Sequence, residues 1–203
     1  MLAGSTVLLG VSGGIAAYQA IEIAGQLRNQ LADVYVIMTR AATKFITPLS
    51  LETVSLHPVI VDLFDEPKQW NIPHISLAQR ADIFLITPAT ANIIGKIANG
   101  IADDMLSTTV MATKAPVVIA PAMNENMWLN PIVQGNVDKL KKTGYQIIDP
   151  EYGPMACGGE GVGRMARVES ILSKLFEISK AIEVKRTSGP EANNPKIESG
   201  GGE

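Results

Sequence analysis

The feature that most restricts the fold of this chain is a regular alternation of short β-branched apolar runs with longer segments of helical spacing. Thr6 to Val11, Val34 to Met38, Val59 to Asp62, Ile83 to Thr87, Val117 to Ala120 and Tyr145 to Ile148 read as strands. Runs this continuously apolar suit a parallel sheet buried on both faces. Ile15 to Asn29, Ala91 to Asn99, Asp104 to Thr113 and Asn126 to Thr143 carry helical spacing, which makes βαβ crossovers the natural connection. The expected architecture is α/β, a Rossmann-like (flavodoxin-like) open parallel sheet with helices on both faces. A length of 203 residues suits one domain, expected over 1–185. From about Arg186 the apolar pattern stops, and 186–203, rich in Gly, Pro, Asn, Ser and Glu, reads as a flexible tail or a linker.

Composition narrows the function classes. A formal charge of -3 lacks the basic excess that nucleic acid partners favour. No apolar run approaches the roughly 20 residues needed to span a bilayer, and Met1 to Thr6 does not resemble a signal peptide. A cytoplasmic protein with neither nucleic acid nor membrane as a partner is expected. The single cysteine, Cys157, cannot form an internal disulfide, and no Cys/His cluster has zinc-ligand spacing, so no metal site is expected.

Ligands of open parallel sheets bind beyond the carboxyl ends of the strands, so the segments after each strand are the places to look for chemistry. Gly10 to Gly14 joins the first strand to a helix, where backbone N–H groups and the helix dipole can hold a phosphate. A tight turn also explains these glycines. The dinucleotide fingerprint is broken by Ser12, and the second strand ends in Thr39-Arg40 without an acidic residue for a ribose diol. That combination suits a mononucleotide such as FMN better than NAD. Pro88-Ala-Thr-Ala-Asn92 serves equally as a capped βα turn or as a flat backbone against which a ring system could lie. In Pro121-Ala-Met-Asn-Glu-Asn-Met-Trp128, Asn124 is either an N-cap or a donor and acceptor for a substrate carboxylate. His74, placed just before a helical stretch, is matched to proton transfer near neutrality, although a lone histidine is more often structural. Cys157 sits among Gly158, Gly159, Gly161 and Gly163, a segment too glycine-rich for a packed core strand, which makes its thiol a candidate for chemistry.

With Pro73-His74-Ile-Ser-Leu, Pro88-Ala-Thr-Ala-Asn92, Asn99-Gly-Ile-Ala-Asp-Asp104, Pro121 to Trp128 and Ala156-Cys-Gly-Gly-Glu-Gly161 assembled, the chain resembles the homo-oligomeric flavin-containing cysteine decarboxylases from about Val7 to Leu175. The cysteine motif is similar to that of members acting on phosphopantothenoylcysteine in coenzyme A synthesis, and it differs from that of the lantibiotic peptidyl-cysteine decarboxylases. The resemblance implies an FMN cofactor, a homotrimer or a homododecamer of trimers with FMN at a subunit interface, and a phosphopantothenoylcysteine synthetase, fused or separate, as a possible partner. It also implies roles. His74, Asn124 and Cys157 match the catalytic histidine, the asparagine that binds the substrate carboxylate and the proton donor. Ser12, Gly13, Thr39, Phe45, Pro88, Ala89, Thr90, Ala91, Ser107 and Ala122 match cofactor positions, and Met127, Ala156 and Gly158 join Asn124 on the substrate side. Asp103-Asp104 departs from several relatives that carry an Asn there. The implied chemistry begins by oxidising the substrate thiol to a thioaldehyde, which places the carboxylate β to a C=S group so that carbon dioxide leaves a delocalised ene-thiolate. A non-enzymatic FMN-binding regulator and a flavin prenyltransferase are the competing readings.

Overall fold

The structure, a computed structural model, describes residues 2–64, 73–156 and 158–187. Five strands form one parallel sheet: β1 (Thr6–Val11), β2 (Asp33–Met38), β3 (Ile83–Ala89), β4 (Val117–Pro121) and β5 (Gln146–Ile147), in the order β2-β1-β3-β4-β5. This is the expected doubly wound architecture. The direction of winding reverses between β1 and β3, and a crevice opens at that point beyond the carboxyl ends of the two strands.

Alternate strand residues feed two separate core layers, because successive side chains point to opposite faces. Val7, Leu9 and Val11 pack with Ile23 and Leu27 of α1 (Gln19–Asn29) and with Ile171 and Leu175 of α8 (Val168–Thr187). Leu8, Phe84 and Ile86 face the other way, onto Ile93 and Ile97 of α4 (Ala91–Ala98), Leu106 of α5 (Met105–Ala112) and Leu140 of α7 (Pro131–Lys142). Every residue of β3 is buried, as a central strand between two helical layers requires.

Several elements differ from expectation. Val59 to Asp62 does not form a strand; only Ile60 bridges to Ile37, through Met38 N–H to the Ile60 carbonyl (2.9 Å) and Ile60 N–H to the Val36 carbonyl (3.1 Å). Pro58 has no N–H to extend the pairing. Asn126 to Thr143 is two helices, α6 (Glu125–Trp128) and α7, divided where the Asn130 side chain accepts the Ile132 N–H (2.9 Å) and Pro131 starts a new helix. Proline disfavours helical backbone in the residue before it, so the apolar periodicity could not carry one helix through. His74 lies inside α3 (Pro73–Arg80), whose first residue is a proline, rather than before a helix. A further helix, α2 (Pro48–Ser55), follows β2, and a separate antiparallel hairpin pairs β6 (Glu151–Pro154) with β7 (Glu160–Arg164). Among the described residues no helix is long and apolar enough to cross a membrane.

Candidate active site

The turns after β1 and β3 are joined by one buried hydroxyl. Ser12, 2% exposed, donates to the Pro88 carbonyl at 2.7 Å and accepts the Thr90 N–H at 3.0 Å. Thr90 in turn caps α4, its hydroxyl accepting the Ile93 N–H. The proximity follows from strand order, since β1 and β3 are hydrogen-bonded neighbours whose chains leave the sheet side by side.

A cavity of about 810 Å³ opens over this junction. Small-molecule sites commonly occupy about 300–1,000 Å³. Ser12 and Gly13 after β1, Thr39 after β2, Thr90 and Ala91 at the start of α4, and Ala122 after β4 line it, with Met127 of α6 at one side. A Cβ on Gly13 would stand 2.4 Å from the Ala41 Cβ and 2.7 Å from the Ala41 carbonyl carbon, so the wall depends on glycine letting two backbones meet.

Two ion-paired clusters border the same cavity. The Lys96 ammonium lies 2.7 Å from Asp103 and 2.8 Å from Asp104. Partial burial pushes the Lys96 ammonium towards neutrality, but hydrogen bonds to the two carboxylates outweigh it and raise its pKa above the ordinary lysine value. Burial alone would raise the Asp104 carboxyl, yet hydrogen bonds from Lys96 and Ser107 hold it below the usual carboxylate range. In the second cluster Arg40 pairs with Asp62, and that hydrogen bond is the main reason the Asp62 carboxyl titrates low.

A second cavity, of about 330 Å³, shares Ala122 and Met123 with the first. Its other walls are the segment Gly14 to Tyr18, Asn124, and the hairpin at Pro154, Met155, Ala156, Gly163 and Arg164. Asn124 is both things the sequence allowed: its side-chain oxygen caps α6 by accepting the Asn126 N–H at 2.9 Å, and the residue stands on the cavity wall.

The expected site residues therefore divide. Ser12, Gly13, Thr39, Thr90, Ala91, Ala122 and Met127 line the larger cavity, and Asn124 and Ala156 the smaller. Pro88 and Ala89 stand behind the larger one, Pro88 through the carbonyl that Ser12 holds. Ser107 is fully buried in the α5 capping box, donating to and accepting from Asp104, and lines neither cavity. Phe45, Gly158 and His74 also line neither. Cys157 lies outside the described residues. Sequence reasoning left the role of Asp103 and Asp104 open and did not single out Lys96; a lone lysine shortly before an Asp pair was the available signal.

Fold and site together define an α/β protein with a mononucleotide-sized cavity at the strand reversal and a smaller cavity beside it. The profile of the flavoprotein family matches residues 1–180, and the chain belongs to that family. Over 205 aligned residues it is 46% identical to the coenzyme A biosynthesis bifunctional protein CoaBC of Bacillus subtilis (strain 168), covering 96% of this chain and 50% of that protein. The Escherichia coli (strain K12) protein of the same name is 47% identical over 164 residues, covering 81% of this chain and 40% of that one. The chain thus spans about half the length of these curated relatives. Among solved structures it resembles the FMN-dependent cysteine decarboxylase SpaF (TM-score 0.77, 35% identity, 88% of this chain and 99% of that chain). It also resembles a PPC decarboxylase mutant complexed with pantothenoylaminoethenethiol (TM-score 0.76, 29% identity, 87% and 98%).

Proposed function

We propose that the chain is an FMN-dependent decarboxylase of 4′-phosphopantothenoylcysteine, yielding 4′-phosphopantetheine for coenzyme A. The observation that carries this reading is the shared wall: Ala122 and Met123 separate a mononucleotide-sized cavity from a smaller one that holds Asn124. Cofactor and substrate can therefore sit on two sides of one loop. The relatives support the same reading, since their names place them in coenzyme A biosynthesis and in cysteine decarboxylation.

The residues present fit a flavin mononucleotide. Ala91 and Ala122 leave flat backbone for a ring system, and the backbone N–H group of Gly13 with the Thr39 hydroxyl would hold the phosphate. The Ser12 hydroxyl positions these loops, being committed to Pro88 and Thr90. When bound, the flavin supplies reversible two-electron oxidation of the substrate thiol. Asn124 holds the substrate carboxylate without adding charge, so the carboxylate is oriented for loss as carbon dioxide rather than neutralised. His74 takes the thiol proton, and Cys157 returns a proton to the carbon that becomes the product methylene. A trimer, or a multiple of trimers, with FMN at a subunit interface belongs to this reading, and His74, which lines neither cavity of the protomer, would meet the flavin at that interface. A cytoplasmic location, a core domain over 1–185 and a synthetase partner, fused or separate, complete it.

Purified protein should show flavin absorbance bands and release carbon dioxide from 4′-phosphopantothenoylcysteine in preference to a peptide ending in cysteine. A colourless protein after incubation with FMN, or a preference for the peptide, would refute the assignment.

A further inference from the structure

Two strands on their own are marginally stable in water, so the place of the β6–β7 hairpin is set by what it docks against. The docking is concentrated on the three residues that follow Ala122. The Met123 N–H donates to the Gly163 carbonyl at 2.9 Å, and the Glu125 carboxylate accepts the Val162 N–H at 3.0 Å. A Cβ on Gly161 would fall 2.9 to 3.0 Å from that carboxylate. Gly163 has φ +138 and passes so close to Met123 that a Cβ would stand 2.3 Å from the Met123 carbonyl oxygen. Both glycines remove the side chain where α6 meets the hairpin, and the Glu125 carboxylate takes up the space beside Gly161 and the Val162 N–H.

Glu125 is the first residue of α6 and follows its N-cap, Asn124, so the carboxylate that holds the hairpin and the amide on the wall of the smaller cavity are adjacent in the chain. The hairpin itself lines the same cavity, at Pro154, Ala156, Gly163 and Arg164. We propose that Glu125 is a positioning residue, whose hydrogen bond to the Val162 N–H sets the width of the smaller cavity and so the grip on the cysteinyl end of the substrate. This rests on the decarboxylase reading for the identity of the substrate, but the docking itself does not.

The test uses the FMN-loaded full-length protein and three variants. Glu125→Ala loses the acceptor, Glu125→Asp keeps the charge but shortens its reach, and Glu125→Gln keeps an acceptor at full length. A hydrogen bond to a charged acceptor is worth enough for KM to rise on the order of tenfold in the Ala and Asp variants. In both, kcat and FMN affinity should stay close to wild type, and the Gln variant should be restored. Amide exchange at Val162, read without substrate, should quicken in the Ala and Asp variants and return to the wild-type rate in Gln. Because exchange needs no turnover, it decides the docking even if the protein proves not to decarboxylate. A lowered melting temperature with unchanged KM in an active enzyme would reduce Glu125 to a structural role and overturn the proposal, and unchanged exchange in the Ala variant would overturn it outright.

Discussion

The Ser12 hydroxyl and the Pro88 carbonyl meet at 2.7 Å although 76 positions separate them in the chain. This bond, with the Thr90 N–H returned to the same oxygen, ties together the two strand ends between which the sheet reverses. Ser12→Ala would leave the Thr90 N–H without its acceptor in a part-buried setting, a loss of about 1–3 kcal/mol. A fall of that size in unfolding free energy by urea titration is expected, together with weaker FMN binding by fluorescence. Unchanged stability would mean that water replaces the hydroxyl at no cost.

The Lys96, Asp103 and Asp104 cluster gives stability a defined pH profile. The Asp104 carboxyl is depressed below its ordinary value of 3.8, so its contribution is present above about pH 4 and is lost as pH falls through the lower folded-state value. The Lys96 pKa is raised above 10.5, so its contribution is complete below that pH and is lost as pH rises through the higher folded-state value. Lys96→Met should therefore cost about 1–2 kcal/mol for a partly exposed, charge-assisted bond, and the cost should be flat between pH 5 and 9. Stability measured by denaturant across pH should show the gap to wild type narrowing at both extremes. A gap that persists undiminished at low pH would show that Asp104 is not the partner that matters.

Asn124→Asp separates the two roles of that residue. Aspartate is as good an N-cap as asparagine, so α6 and overall stability should be retained. A carboxylate on the wall of the smaller cavity would repel the carboxylate of the substrate, and decarboxylation should fall by at least about 100-fold, near 3 kcal/mol of transition-state binding. Turnover at the wild-type rate in a folded, yellow variant would leave Asn124 as a cap only.

Cys157→Ser should divide the reaction cycle. In the proposed cycle, thiol oxidation and loss of carbon dioxide call on His74 and Asn124, whereas only the closing reduction needs a proton at carbon. A hydroxyl is a far weaker acid than a thiol of ordinary pKa about 8.5. Mass spectrometry should then find carbon dioxide released but a product lighter than 4′-phosphopantetheine by two hydrogens, whereas His74→Asn should stop the cycle before the flavin bleaches. Full reduction by the serine variant at the wild-type rate would make Cys157 structural.

Local pattern was enough to reveal the sheet. Thr6 to Val11 reads as β1 to the residue, because a strand buried on both faces must be apolar throughout, and the strand-end loops follow from where such runs stop. The same local logic failed where two rules competed within a few residues. Helical periodicity ran through Asn130-Pro131 while proline geometry cut it, and an apolar run at Val59 to Asp62 had a partner for only one residue. Short glycine-rich strands such as β7 carry almost no apolar signal, so the hairpin was not legible at all.

For the site, residue type together with a position after a strand was sufficient to nominate the Gly10 to Gly14 turn, Thr90 and Asn124, since chemistry in this architecture gathers at one edge of the sheet, whereas Ser12 and Ala122 were implied as cofactor positions by the family resemblance. Which atom of each residue is available was decided only by the fold. The Ser12 hydroxyl is spent on Pro88 and Thr90, the Ser107 hydroxyl on Asp104, and Glu125 reaches a hairpin 37 positions further along the chain. A sequence states what groups a chain possesses. Hydrogen-bond partners distant in the chain are set by strand order and packing, and through them the tertiary structure determines which of those groups support the site and which are left to react.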